Sequence, residues 1–138
     1  MGDRRQSREL ALQALFFLDM NSSKDVAADV EAFCLENETA LTPTIRPFFM
    51  DLVQGVITAM DKIDPMLETC SKNWKVSRMP VVDRNIMRIA AFELLERQDI
   101  PPSVTINEAV DIAKKYSTRE SGSFVNGILD RIRLSIGR

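Results

Sequence analysis

Apolar residues recur along this chain at helical spacing, and no stretch alternates apolar and polar positions long enough to make a strand. Leu10, Ala14, Phe17 and Leu18, with Ala11 and Leu15, form a broad stripe that predicts a core-facing first helix of about 17 residues. A short acidic helix is expected over 24–36, burying Val26, Val30, Phe33 and Cys34. Thr42 and Pro43 read as an N-cap with a first-turn proline, and Pro47 can move the start to about residue 44. Ile45, Phe48, Phe49, Leu52, Val53, Val56 and Ile57 then share one face. Asp64-Pro65 repeats the cap-plus-proline pattern and predicts a restarted helix carrying Met66, Leu67 and Cys70 toward Trp74. Pro80 opens the next helix and Pro101-Pro102 end it. Thr105-Ile106-Asn107-Glu108 reads as a capping box that starts a helix reaching about Tyr116. The last helix is expected from about Ser121 to Ile136, with Val125, Ile128, Leu129 and Ile132 inward.

Ile86 to Leu95 is apolar nearly all round, interrupted mainly by Arg88 and Glu93, so it should be the central helix. The expectation is an all-α, compact bundle of six or seven helices in one domain over 1–138. A length of 138 residues suffices for a core without disulfides or a structural metal. Nothing approaches the roughly 18 unbroken apolar residues of a membrane span. Arginines precede Leu10 to Leu18 as in a secretory signal, but Gln13 interrupts the run, Asp19 closes it and no small-residue cleavage site follows. Cys34 and Cys70 are far apart and form no CxxC, which fits a reduced, cytoplasmic setting.

The net charge of −2 hides an asymmetry. Residues 1–20 carry three basic and three acidic groups, 21–70 three against nine, 71–110 six against five, and 111–138 six against three. A polyanion-binding face, if present, should therefore be built from the two termini. The absence of histidine removes triads, His-ligated zinc and imidazole acid–base catalysis. Gly122 to Gly127 has phosphate-loop glycine spacing, yet Ile128-Leu129 stand where lysine and Ser/Thr are required, and no strand precedes it. No metal, cofactor or catalytic role is expected.

The arginines offer a different chemistry. At about 100° per residue, Arg4 and Arg8 lie one turn apart and Arg5 about 60° from Arg8, making one patch. Phe16 returns to within about 20° of the Arg5 line, off the apolar stripe. Guanidiniums beside an aromatic ring suit single-stranded RNA, whose unpaired bases stack while its phosphates need positive charge. The alternative is a solvated helix end with Phe16 in the core. Arginines at a helix N-terminus oppose the macrodipole, so helix stability does not account for them. In "STRESGSFVNGILDR", Gly127 is expected to permit a close helix crossing and Asn126 to bond a neighbouring loop, whereas Phe124 reads equally as a staple or a base-stacking platform. Arg88 and Glu93 require partners if buried, although Arg88 follows Asp83 and Arg84 on a polar edge.

Three blocks, "RRQSRELALQALFF", "VDRNIMRIAAFELL" and "TINEAVDIAKKYSTRESGSFVNGILD", together resemble the NusB family of bacterial transcription antitermination factors. The resemblance covers nearly the whole chain, with residues 21–80 weakly diagnostic. It implies two packed sub-bundles, roughly 1–62 and 63–138. It also implies a non-enzymatic factor that binds boxA RNA of ribosomal RNA leader transcripts jointly with NusE, a small-subunit ribosomal protein, within an antitermination complex on RNA polymerase. Carried over, the family's arginine-rich start falls on Arg4, Arg5 and Arg8, and its aromatic RNA contact, commonly tyrosine, falls on Phe16. An acid and an arginine associated with RNA and partner binding fall on Asp83 and Arg88, and the C-terminal aromatic on Phe124. Gln6, Asp3 and the missing hydroxyl of Phe16 depart from the pattern and imply weaker RNA binding without the partner. Family members differ on whether they are monomer or homodimer. The alternatives are the NusB-like part of a ribosomal RNA cytosine-5 methyltransferase, which would make this chain a fragment, and a helical adaptor that binds only protein through the acidic surface of 21–70.

Overall fold

The computed structural model describes residues 2–22 and 24–138. Among them are six α-helices and no strand: α1 Asp3–Asn21, α2 Val26–Glu36, α3 Arg46–Cys70, α4 Val81–Glu96, α5 Pro102–Tyr116 and α6 Arg119–Ser135. A 3₁₀ turn, Val76–Arg78, lies between α3 and α4. As its all-round apolar sequence requires, α4 is central and packs on α1, α3, α5 and α6. Phe17, Phe33 and Phe49 join α1, α2 and α3, with ring centroids 6.4 Å and 5.9 Å apart.

The structure corrects several expected boundaries. α2 begins at Val26, where the Asp25 carboxylate accepts from the Ala28 N–H, and Val26 is exposed rather than buried. α3 begins at Arg46, after a turn in which the Thr42 carbonyl accepts from the N–H groups of Ile45 and Arg46. Its Pro65 does not restart the helix: α3 continues unbroken to Cys70. Pro65 and Asp61, whose carbonyl loses its partner to the proline, both face solvent, while Ile63 and Leu67 are fully buried on the other side. Burial of that face holds the helix together through the proline. α3 thus crosses residue 62 as one rod in contact with α1, α4 and α6.

α4 ends at Glu96, and Pro102 opens α5 instead of closing α4. The capping-box residues therefore sit inside α5, where Thr105 is buried and donates to Glu93, and Glu108 faces Arg5. A four-residue cap pattern and a core-facing polar pair look alike in sequence. At the next boundary the cap is real, for the Thr118 hydroxyl accepts from the Ser121 N–H at the start of α6. Gly127 does not mark a helix crossing, because a Cβ there would meet nothing within 4 Å. Asn126 is exposed and bonds no neighbouring loop among the described residues. The close approach is at Gly55, where a Cβ would stand 2.2 Å from the Phe92 ring.

Candidate nucleic-acid interface

The three N-terminal arginines do not form one free patch. Arg8 is 3% exposed and points inward, its guanidinium donating to both Glu93 oxygens at 2.9 and 2.7 Å. The Thr105 hydroxyl donates to Glu93 at 3.0 Å, so the buried carboxylate is fully engaged. Arg5 reaches α5, donating to Glu108 at 2.8 and 2.7 Å and to Asp111 at 3.1 Å. Arg4 is half exposed, 3.6 Å from Asp99 and 4.9 Å from the Phe48 ring centroid, which Arg8 and Arg97 also approach. Arg97 in turn pairs with Asp51 and Asp99. The helix start expected to be basic is therefore neutralised by acids from α4, α5 and the loop between them that the local sequence does not contain.

These pairs carry a pH dependence. Hydrogen bonds from Arg5 hold the Glu108 carboxyl below its usual range of about 4.5, while burial opposes the shift. A carboxylate with a depressed folded pKa contributes stability above its unfolded pKa and loses it as pH falls through the folded value. Glu108→Gln is expected to flatten the loss of thermal stability on acidification below about pH 4.5, measured as melting temperature against pH.

Arg88 and Asp83, placed by resemblance among the binding residues, are also interior. Arg88 donates to both Asp64 oxygens at 2.9 Å, to Asp19 at 3.2 Å and to the Asn85 side-chain oxygen at 2.9 Å. It is 5% exposed, so burial has been matched by partners, and its carboxylate partners come from α1 and α3 rather than from Glu93. Asp83 stands in the first turn of α4, a favourable end for an anion, and accepts from the Ser121 hydroxyl at 2.9 Å. Its other oxygen, Oδ1, is buried without a hydrogen-bond partner.

The exposed part of the candidate site is aromatic. Phe16 is 40% exposed, off the core stripe as its angle requires, and lines a cleft of about 180 Å³ with Leu12, Gln13, Val82 and Tyr116. Tyr116 was not anticipated. Its hydroxyl donates to Glu9 Oε1 at 2.5 Å, and Lys115 donates to the same oxygen at 2.9 Å, so a buried carboxylate on α1 fixes both residues at the end of α5. The bond to Glu9 raises the pKa of Tyr116 and of Lys115, keeping the phenol protonated and the ammonium charged. Phe124 is half-buried, with the Trp74 ring edge-on at 5.1 Å. The N-terminus of α4 lies between the elements of Phe16 and Phe124, since Val82 lines the cleft and the buried Asp83 bonds the buried Ser121, one turn before Phe124. Arg5, Arg8 and Arg88 hold helices together behind this face, and no group of His, Cys, Asp and Glu among the described residues could hold a metal. The signal that could have found Tyr116 and Trp74 is their rarity: each is the chain's single residue of its kind.

Comparison with known proteins places this geometry in a lineage. The sequence pattern of the NusB family matches residues 5–133. The transcription antitermination protein NusB of Desulforapulum autotrophicum is 54% identical over 134 residues, covering 97% of this chain and 93% of that one. Among solved structures, T. maritima NusB superposes with a TM-score of 0.79 at 38% identity, covering 95% of this chain and 90% of that one. A complex of the antitermination factors NusB and NusE with double-stranded RNA contains a chain of the same fold, with a TM-score of 0.84 at 23% identity and coverage of 96% and 97%. With a match across nearly its whole length and a solved relative of the same architecture, the chain belongs to the NusB family.

Proposed function

We propose that this chain is a non-enzymatic, cytoplasmic antitermination factor that binds single-stranded boxA RNA of ribosomal RNA leader transcripts together with NusE. The observation that carries the reading is the part-exposed Phe16 cleft beside Tyr116: two neighbouring aromatic rings at the surface offer a stacking face that the core does not use. Phe16 stacks on a base, and Phe124 contributes from α6. Arg4, the most exposed of the three N-terminal arginines, contacts phosphate. Arg5, Arg8, Arg88 and Asp83 act as positioning residues that hold α1, α4, α5 and α6 in register around that face. The solved assembly of NusB and NusE with double-stranded RNA supports NusE and RNA as the kinds of partner.

The test is a titration with a boxA-containing strand and a scrambled control, with and without NusE. Binding that is tighter for boxA, and tighter again with NusE, is the expected result. Phe16→Ala should weaken it about tenfold, the magnitude of one lost base stack, without changing the melting temperature by more than a few degrees. Phe16→Ala is a cleaner probe than removing Arg5, which also unties α1 from α5. Equal, weak binding to both strands in every condition would favour the protein-only adaptor.

A further inference from the structure

The neutralised N-terminus leaves a question of charge, because RNA phosphates need cations that are not already spent on carboxylates. The segment 71–80, between α3 and α4, supplies them. It contains Lys72, Lys75 and Arg78 and no acidic residue. All three are exposed, and none forms an ion pair among the described residues, unlike Arg4, Arg5, Arg8, Arg84, Arg88 and Arg97. The nearest acid in sequence, Glu68, is turned to the backbone and accepts from the Val76 N–H at 2.9 Å.

The same segment carries Trp74, 39% exposed. Lys72 and Asn73 both adopt left-handed backbone, with φ of 60° and 65°, and the Asn73 N–H donates to the Glu68 carbonyl at 2.7 Å. Two consecutive residues in that region turn the chain sharply after α3, and a non-glycine pays for the conformation. The turn sets Trp74 against Phe124 in a T-shaped contact that holds the indole while leaving it part-exposed. Arg131 of α6 ties the base of the turn by donating to the Cys70 carbonyl at 2.8 Å.

We propose that the 71–80 turn is a second RNA-contact surface, in which Trp74 stacks on an unpaired base and Lys72, Lys75 and Arg78 neutralise the flanking phosphates. Single-stranded RNA fits better than an acidic protein segment because the surface pairs unspent positive charge with a part-exposed indole held against Phe124. The turn leads directly into α4, whose Val82 lines the Phe16 cleft, and its Trp74 touches Phe124 of the proposed site. The inference rests on the RNA-binding reading above and extends it to residues that reading does not use.

Trp74 is the only tryptophan, so its fluorescence reports this surface alone in the unaltered protein. Binding of a fluorescently labelled boxA strand, followed by anisotropy, is compared with Trp74 emission in the same titration. Both signals should saturate together. For the K72Q/K75Q/R78Q variant, the slope of log affinity against log salt should fall by about 2, since each phosphate contact to a single strand contributes about 0.7. Trp74→Ala should weaken binding about tenfold, and Trp74→Phe should recover most of it. RNA binding with unchanged Trp74 emission, or with an unchanged salt slope in the triple variant, overturns this surface and leaves the Phe16 reading standing. A Trp74 response to NusE alone and not to RNA overturns it in favour of a protein contact. No RNA binding at any salt concentration removes the RNA reading as a whole.

Discussion

Glu93→Ala is expected to lower folding stability by about 3–5 kcal/mol, a drop of roughly 10 °C or more in melting temperature for a domain of this size. Glu93 is 1% exposed and receives two hydrogen bonds from Arg8 and one from Thr105. Removing it leaves the Arg8 guanidinium buried with Glu108, 3.3 Å away, as its remaining carboxylate. The cost is that of an underpaired buried cation and not the net worth of the pair. The double variant Arg8→Met/Glu93→Leu should therefore recover much of the loss, because an apolar pair of similar volume avoids desolvating either charge. Urea denaturation of the wild type, the single variant and the double variant measures this. A single variant within 1 kcal/mol of wild type would mean that water reaches Arg8.

Arg88→Met should cost about 2–3 kcal/mol, less than Glu93→Ala because the stranded carboxylates keep some contact with solvent. Asp64 and Asp19 retain 24% and 21% of their side-chain exposure, so water can take over part of what Arg88 supplied. The variant also separates two roles. Arg88 joins α4 to α1 and α3 through Asp19 and Asp64, and Asn85 and Arg84 share the Asp19 carboxylate. As a positioning residue, its loss should lower the urea midpoint while RNA affinity, measured well below that midpoint, changes less than for Phe16→Ala. Full stability with abolished RNA binding would instead make Arg88 a direct contact that becomes exposed in the complex.

Much of the helical layout was readable one element at a time. The α1 stripe, the all-round apolar α4 and the inward face of α6 each follow from a 3.6-residue period, which is a local property. The angle that takes Phe16 off the core stripe is equally local, and its exposure agrees. The reading failed where one signal serves two purposes. Asp64-Pro65 looks like a helix start, but burial of Ile63 and Leu67 carries α3 through it. Thr105 and Glu108 have capping-box spacing, but they serve Glu93 and Arg5. Gly127 looked like a crossing point, whereas Gly55 is the one pressed against a ring.

The sequence by itself determined the class of the fold, the faces of most helices, the lack of imidazole chemistry and the family resemblance, because composition, periodicity and ordered motifs are carried by neighbouring residues. Only the tertiary structure decided which charges remain free. Arg8 meets Glu93 across 85 residues, Arg5 meets Glu108 across 103, and Trp74 meets Phe124 through a turn that no period announces. A side chain's charge is written in the sequence, but its electrostatic effect depends on what lies within a few ångströms, and chain packing chooses those neighbours. For that reason Arg5 and Arg8, which stood out in the sequence, became structural ties, while Lys72, Lys75 and Arg78 on the turn between α3 and α4 form no ion pair among the described residues.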